Sequence, residues 1–335
     1  MSRENTVTEG NRLVWNGIKK PFFEVYYLKI ADPSRPWSFW ARYTLLIPSR
    51  GPALAALWSV FCAQDEHPVA QKKIFPLGDI DIFHREKFIQ IGDAYLALEG
   101  AFGGMETSDH RVLWELAFED PSVCGQLFPY GWFYRSPLPT TKVLAPRLST
   151  FVSGKIEVDG KLFNLDHCPA HQAHLWGTRY AKRWVWGHCN QFEGEPETVF
   201  EGLAAEIAIG PFESPAIPLF CLIHNGVTYR ANKILSWFKN KTAHDWVFWN
   251  FEAFCGNFKF IGKMKRDPAL TVGLEYQGPR GEIRFCHNTM LADLEIDLLQ
   301  KRGKGWEPVK KFISHHGAAF ETVEPDPDPR ILFVV

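Results

Sequence analysis

The chain has 335 residues, 46% hydrophobic and 22% charged, which excludes wholesale disorder and suits two domains of roughly 150 residues each, here expected at 1–180 and 181–335. Its net charge is −1 and it has no long basic run, so no nucleic-acid or anionic-membrane patch is read from the sequence. Seven cysteines, an odd number with no CxxC pair, favour reduced thiols in a cytoplasm over disulfides or a zinc site.

The first residues, MSRENTVTEGNR, are polar and lack the apolar stretch of a secretory signal; no run of about 18 apolar residues follows, so no transmembrane helix is expected. A frayed end leads to a first short strand around Leu13–Trp15. Phe22–Ile30 and Ser38–Ile47 are aromatic, β-branched strands separated by the turn cluster Asp32–Pro36. Ala53–Ala63 has a strand's place although its period also suits a short helix. Lys73–Ile82 and Lys87–Ile91 come next. Tyr95–Phe102 then faces Arg111–Glu119 across a loop opening at Gly103–Gly104.

Pro121–Pro146 is aromatic and too rich in proline for a regular central strand; long irregular segments of this kind are often functional. Leu148–Val158 and Lys161–Leu165 form a hairpin about Gly160. Thr198–Ile209 has a period compatible with helix or strand. Asn225–Gly226 is the strongest hairpin signal in the chain, between Leu219–His224 and Val227–Ala231. Asp245–Cys255, Phe258–Ile261, Thr271–Gln277, Glu282–His287, Met290–Gln300 and Ala318–Val323 complete a series of short strands with Gly/Pro turns. The expected class is therefore all-β, a barrel or sandwich architecture. Dinucleotide, phosphate-loop, GxSxG and HExxH motifs are absent from the sequence.

One stretch stands apart. His171–Phe192, HQAHLWGTRYAKRWVWGHCNQF, holds three tryptophans, three histidines and an asparagine. Trp184 and Trp186 alternate about Val185, and His188 and Asn190 continue the same face of an extended strand. Such a face lines either an apolar cavity or a core with demanding polar partners, since buried indole, imidazole and amide groups each need a hydrogen bond.

Several of these segments resemble the lipocalin-like AttH, carotenoid 1,2-hydratase and tocopherol cyclase superfamily. They are FEVYYLKIADP at 23–33, FWARYTLLIP at 39–48, the run from Tyr134 through SPLPTTKVLAPRLSTFVSGKIEVDGKLFNL, and GPRGEIRFCHNTMLADLEIDL at 278–298 with GAAFETVE at 317–324. The sharpest is His174-Leu175-Trp176-Gly177 followed by the run from Arg183 to Phe192, similar to a family pattern H-N-W-G, a short spacer and W-x-W-x-x-x-N-x-F. Leu175 stands where that pattern has Asn. The resemblance implies two calycin-like β-barrels packed together, an apolar ligand pocket, and hydration, isomerisation or cyclisation of isoprenoid or polyene molecules without a cofactor.

Adding a proton to an alkene carbon needs an acid of raised pKa and shelter for a cation, which aromatic faces stabilise by about 0.5–2 kcal/mol per contact. His174 is the candidate proton donor or its partner. Glu24, Glu201 and Glu252 are candidate acids because each sits in an apolar run where burial raises a carboxyl pKa. Trp132, Tyr134, Trp176, Trp184, Trp186, His188 and Asn190 are candidate substrate contacts. Each has a plain structural alternative: tryptophans that fill a domain junction, a satisfied core histidine, carboxylates that point outward. A non-catalytic carrier of a hydrophobic ligand, and a pericyclase acting by shape alone, remain open.

Overall fold

The computed structural model describes residues 3–32, 34–77, 87–209, 212–331 and 333. Ten antiparallel strands form the first sheet: β1 (Phe22–Ala31), β2 (Trp37–Ile47), β3 (Leu54–Ala63), β4 (Val69–Pro76), β5 (Lys87–Ile91), β6 (Ala94–Ala97), β7 (Gly100–Glu106), β8 (Arg111–Gly125), β9 (Thr141–Val158) and β10 (Lys161–Gly177). Their spatial order is β4-β3-β2-β1-β10-β9-β8-β7-β6-β5, and β3 comes back against β5, so the sheet curls round one core.

The second sheet begins with β11 (Arg183–Cys189) and β12 (Val199–Glu206); a small separate hairpin, β13 (Ala208–Ile209) with β14 (Phe212–Glu213), follows. Then come β15 (Ile217–His224), β16 (Val227–Ala231), β17 (Lys241–His244), β18 (Phe248–Cys255), β19 (Phe258–Lys265), β20 (Val272–Gln277), β21 (Ile283–Arg302) and β22 (Gly305–Glu324). The order is β16-β15-β12-β11-β22-β21-β19-β18-β17, with β20 also on β21 and β16 near β18. Two short helices, α1 (Arg3–Gly10) and α2 (Ile234–Trp237), complete the elements used below. No helix among the described residues is long and apolar enough to cross a membrane.

Each curled sheet has its own core. Phe39, Tyr43, Trp114 and Ile156 lie in the first; Phe200, Phe220, Trp249, Phe251 and Phe260 form an aromatic stack in the second. The rings of Phe200 and Phe251 stack at 5.0 Å and those of Phe220 and Phe251 at 4.9 Å. Gly262, opposite Phe251 in register, makes room for that stack: a Cβ there would lie 2.1 Å from the Phe251 ring. A third core fills the junction, where Phe23, Val25, Trp40 and Trp58 meet Leu274, Tyr276, Met290 and Val323. This explains why β1 and β2 read as unbroken apolar runs: one face points into the first core and the other is covered by the second sheet.

Several sequence expectations change. The start of the chain is helical rather than frayed, and Leu13–Trp15 is not a strand, because the N–H groups of Val14 and Trp15 bond to the Glu24 carboxylate at 2.7 and 2.8 Å instead of to a neighbouring strand. Gly103–Gly104 lies inside β7, not in a loop; the Trp114 ring crosses Gly103 so closely that a Cβ would sit 2.3 Å from it. Tyr95 pairs with Phe102 in a hairpin of its own, and the turn to β8 is at 107–110. The proline-rich segment is shorter than expected, since β8 runs through Pro121 to Gly125 on shifted register and β9 starts at Thr141. Of Thr198–Ile209, Val199–Glu206 and Ala208–Ile209 are two separate strands, and Glu282–His287 with Met290–Gln300 falls in one bulged strand, Ile283–Arg302. Of Lys73–Ile82, residues 78–82 lie outside the described residues.

Candidate functional site

Alternation along the strands sends one set of side chains from each sheet toward the other. From the first sheet these are Val25 and Tyr27 of β1, Trp40 and Arg42 of β2, Val143 of β9 and Leu175 of β10. The second contributes Trp184 and Trp186 of β11, Leu203 and Ala205 of β12, Leu219 of β15, Tyr276 of β20 and Glu321 of β22. The segment 126–140 adds Phe128, Phe133, Leu138 and Pro139, and α2 adds Trp237. Together they bound a cavity of ≈ 260 Å³ between the sheets.

Its polar groups collect at one end. The Glu321 carboxylate accepts from Trp184 Nε1 at 2.7 Å, the Tyr276 hydroxyl at 3.1 Å and Asn288 Nδ2 at 3.2 Å. Arg42 is almost fully buried; its Nε donates to Thr44 Oγ1 at 3.1 Å and an Nη to the Tyr180 hydroxyl at 3.1 Å. The guanidinium lies 4.0 Å over the Tyr276 ring. Burial opposes its charge, but the Tyr180 and Tyr276 phenols and the Glu321 carboxylate outweigh that and raise its pKa. A buried cation and a partly exposed carboxylate thus share the end of an apolar pocket, with two phenols between.

Behind the wall lies a second polar layer. Tyr27 donates to His171 Nε2 at 3.2 Å, and His171 Nδ1 and His188 Nε2 both donate to the Leu148 carbonyl, at 3.1 and 2.7 Å. Burial holds His171 down to about 3 and His188 well below its ordinary value, so both rings are neutral. Glu201, also fully buried, accepts among the described residues only from Trp186 Nε1 at 3.4 Å, and burial pushes its carboxyl up to about 7. It stands on the cavity-facing side of β12 with Leu203 and Ala205, beneath Trp186.

The residues expected from sequence separate into groups. Trp184 and Trp186 line the cavity, and Glu201 adjoins it through Trp186. His174 and Glu24 do not line it. They face the interior of the first barrel, where His174 Nε2 bonds Glu24 at 2.9 Å and His174 Nδ1 bonds the Gly10 carbonyl at 2.8 Å. Glu24 also takes the Val14 and Trp15 N–H groups and the Tyr26 hydroxyl, so this pair pins the N-terminal segment to β1 and β10. Trp176 is on their side of β10, 4.7 Å from the His174 ring. Glu252 is on the outer side of the second sheet, held between Lys259 and Lys241 at 2.8 and 2.9 Å, the Lys259 hydrogen bond lowering its pKa most. His188 and Asn190 belong to the layer between the sheets; Asn190 donates to the Ala170 carbonyl at 3.0 Å. Trp132 is exposed and stacks at 4.0 Å on Phe133, which does line the cavity, while Tyr134 packs on Phe128 at 5.2 Å.

The tocopherol cyclase-like family model matches residues 129–322, more than half of the chain; of the strands that build the cavity, β1 and β2 lie outside the match. The chain belongs to this tocopherol cyclase-like family. An uncharacterized protein of Mycobacterium tuberculosis is 23% identical over 286 residues, covering 84% of this chain and 82% of its own length. A probable chloroplastic tocopherol cyclase of Oryza sativa subsp. japonica is 26% identical over 193 residues, 52% of this chain but only 37% of that protein. Among solved structures, an AttH-like protein of Nitrosomonas europaea superposes with a TM-score of 0.52 at 12% identity, covering 90% of this chain and 92% of that one. Kievitone hydratase of Nectria haematococca gives 0.54 at 8% identity, covering 90% and 88%. CghA, determined with Sch210972, gives 0.57 at 10% identity, covering 91% and 88%. At these identities the likeness carries the fold, two lipocalin-like β-barrels packed together, as the family pattern in the sequence implied.

Arg42, Tyr180, Tyr276 and Glu321 were not among the residues singled out from this family member's sequence. A signal was present for two of them. Arg42 is the lone charge in the strand WSFWARYTLLI, and Glu321 shares a strand face with Ala319 and Val323, both fully buried. Nothing local marks Tyr180 or Tyr276, which reach the site only through the packing of the two sheets.

Proposed function

We propose that the chain is an enzyme of hydratase or cyclase type acting on an apolar isoprenoid or polyene molecule, and that the cavity between its two barrel domains, 1–180 and 181–335, is the active site. One observation carries this reading: an apolar pocket whose ionisable groups, Arg42 and Glu321, are gathered at one end with aromatic faces beside them. Water addition and ring closure, the reactions named in kievitone hydratase and the rice tocopherol cyclase, support the reaction class.

Both reactions add a hydrogen to one alkene carbon and an oxygen to the other. A single carboxyl can serve them. The protonated Glu321 carboxyl gives its proton to one alkene carbon, and as the water, or the substrate's own hydroxyl, forms the C–O bond at the other carbon it returns a proton to the carboxylate, so the enzyme ends unchanged. Tyr276 and Trp184 orient the carboxyl by their hydrogen bonds and present faces to positive charge on carbon. Arg42 and Tyr180 hold the oxygen function of the substrate. The apolar walls keep bulk water from the cation.

The test starts from the ligand. Organic extraction of purified protein and mass spectrometry identify the bound compound, which is then returned to fresh protein. A gain of one water, or an isomer of equal mass, is the expected result, and Glu321→Gln is expected to keep binding while losing about 10²–10⁴-fold in turnover. A compound returned unchanged makes the protein a carrier; full turnover in Glu321→Gln removes that residue from the chemistry. Small losses spread over many pocket variants favour a pericyclase acting by shape.

A further inference from the structure

The mouth of the cavity is ringed by large apolar side chains that no other described residue covers. Trp132 is 55% exposed on the turn that carries Phe133. Leu138 is 41% exposed beside Pro139. Ile209 and Phe212, 46% and 75% exposed, pair across the β13–β14 hairpin. Leu235 and Phe238, 79% and 85% exposed, flank Trp237. Leu138, Ile209 and Trp237 line the cavity as well, so the collar and the pocket form one continuous apolar surface. Apolar patches of this kind, surrounding an opening, mark a contact with another apolar phase or protein.

The charge around the collar decides between occupants. From Phe128 to Lys142 and from Arg230 to His244 there is no Asp or Glu; of the six Lys and Arg there, Lys142 is buried and Lys241 pairs with Glu252, while the Glu213 of the β13–β14 hairpin is paired with Lys182. Arg135, Lys233 and Lys239 among them are exposed beside the apolar residues. A second copy of the chain placed face to face would bring two such basic fringes together. An anionic surface would be attracted instead. We infer that the collar docks on an anionic lipid bilayer, with the cavity mouth turned toward the hydrocarbon so that an apolar ligand enters from the lipid phase. The basic residues are scattered through two segments far apart in sequence, which is why no basic run announces them.

The experiment uses the full chain without substrate. Sedimentation is measured with vesicles of phosphatidylcholine alone and with phosphatidylglycerol added. Binding to the anionic vesicles, weakened by salt, is expected. The pair Leu235→Glu and Phe238→Glu should weaken it roughly tenfold or more, since both carboxylates would enter the interface. Arg135→Glu with Lys233→Glu should remove the preference for phosphatidylglycerol while leaving thermal unfolding unchanged. None of the four residues lines the cavity, so uptake of the extracted ligand from detergent is expected to be unaffected. No sedimentation with either vesicle overturns the inference. So does a dimer in solution that the Leu235→Glu, Phe238→Glu pair dissociates, which would assign the collar to a second copy. Because vesicle binding is read without turnover, it can fail while the enzymatic reading stands, and the reverse.

Discussion

Glu201 offers a test of the buried layer that needs no substrate. Its carboxyl is fully buried with one hydrogen-bond donor, and burial raises it from an ordinary 4.5 to about 7. Between these values the folded protein keeps a proton that the unfolded chain has lost, so this residue's contribution to stability falls as pH rises through the window and is flat above it. The span from 4.5 to about 7, at about 1.4 kcal/mol per pH unit, comes to ~3 kcal/mol. Buried histidines act in the opposite sense. His171 at about 3 and His287 at about 4 stay neutral in the fold while the unfolded chain takes up protons below 6.5, so they add stability as pH rises. The wild-type profile therefore mixes the two. Glu201→Gln, which keeps an acceptor for Trp186 Nε1 and cannot ionise, isolates one of them. Urea unfolding of both proteins at pH 4.5, 6 and 8 is expected to show the variant gaining ~3 kcal/mol on the wild type from the lowest pH to the highest. A difference that does not change with pH would mean that Glu201 is solvated or paired, and that the layer beneath Trp186 is not dry.

Two further substitutions separate scaffold from site. His174→Ala leaves the buried Glu24 without one of its four donors and should cost about 3–5 kcal/mol in urea unfolding, while turnover per folded molecule is retained; lost turnover at unchanged stability would return His174 to the chemistry. Gly262→Ala drives a methyl into the Phe251 ring and should cost about 1–3 kcal/mol, read as a lower urea midpoint; an unchanged midpoint would show that the aromatic stack is loose.

The strands were legible because turn chemistry and side-chain type are local. Asn225 and Gly226 both have positive φ, as the tight hairpin their identities suggested requires. The direction in which a strand presents its faces is not local. In β10, His174 and Trp176 stood out as chemistry, yet pairing with β1 sets Tyr26 against His174 and turns that face into the first barrel. The neighbour Leu175, noted in the sequence only as standing where the family pattern has Asn, is the one that lines the cavity. A period of two fixes which residues share a face but not which face meets the other sheet. In β11 Trp184 and Trp186, on one strand face, line the cavity, while His188 and Asn190 farther along that face do not, and the opposite face holds Val185, Gly187 and Cys189.

The cavity itself follows from how curled sheets meet. Each sheet closes round its own core, so two of them brought together by their outer faces touch along a line and diverge beside it. Along the line the junction core is dense, with β1–β3 against β20–β22. Beside it the gap needs filling, and no strand of either barrel can fill it without leaving its ladder. The irregular segment 126–140 and α2, the elements least bound by strand pairing, take that place with Phe128, Phe133, Leu138 and Trp237. The space they leave is the pocket. Its polar end stands on paired strands, with Arg42 in β2, Tyr276 in β20 and Glu321 in β22, so the groups proposed to handle the proton and the oxygen are held by hydrogen-bonded ladders. Its apolar end is built from connecting segments that can change in length and shape without disturbing either barrel. A fold divided this way can keep one kind of chemistry while the shape of the molecule it accepts is reset outside the ladders.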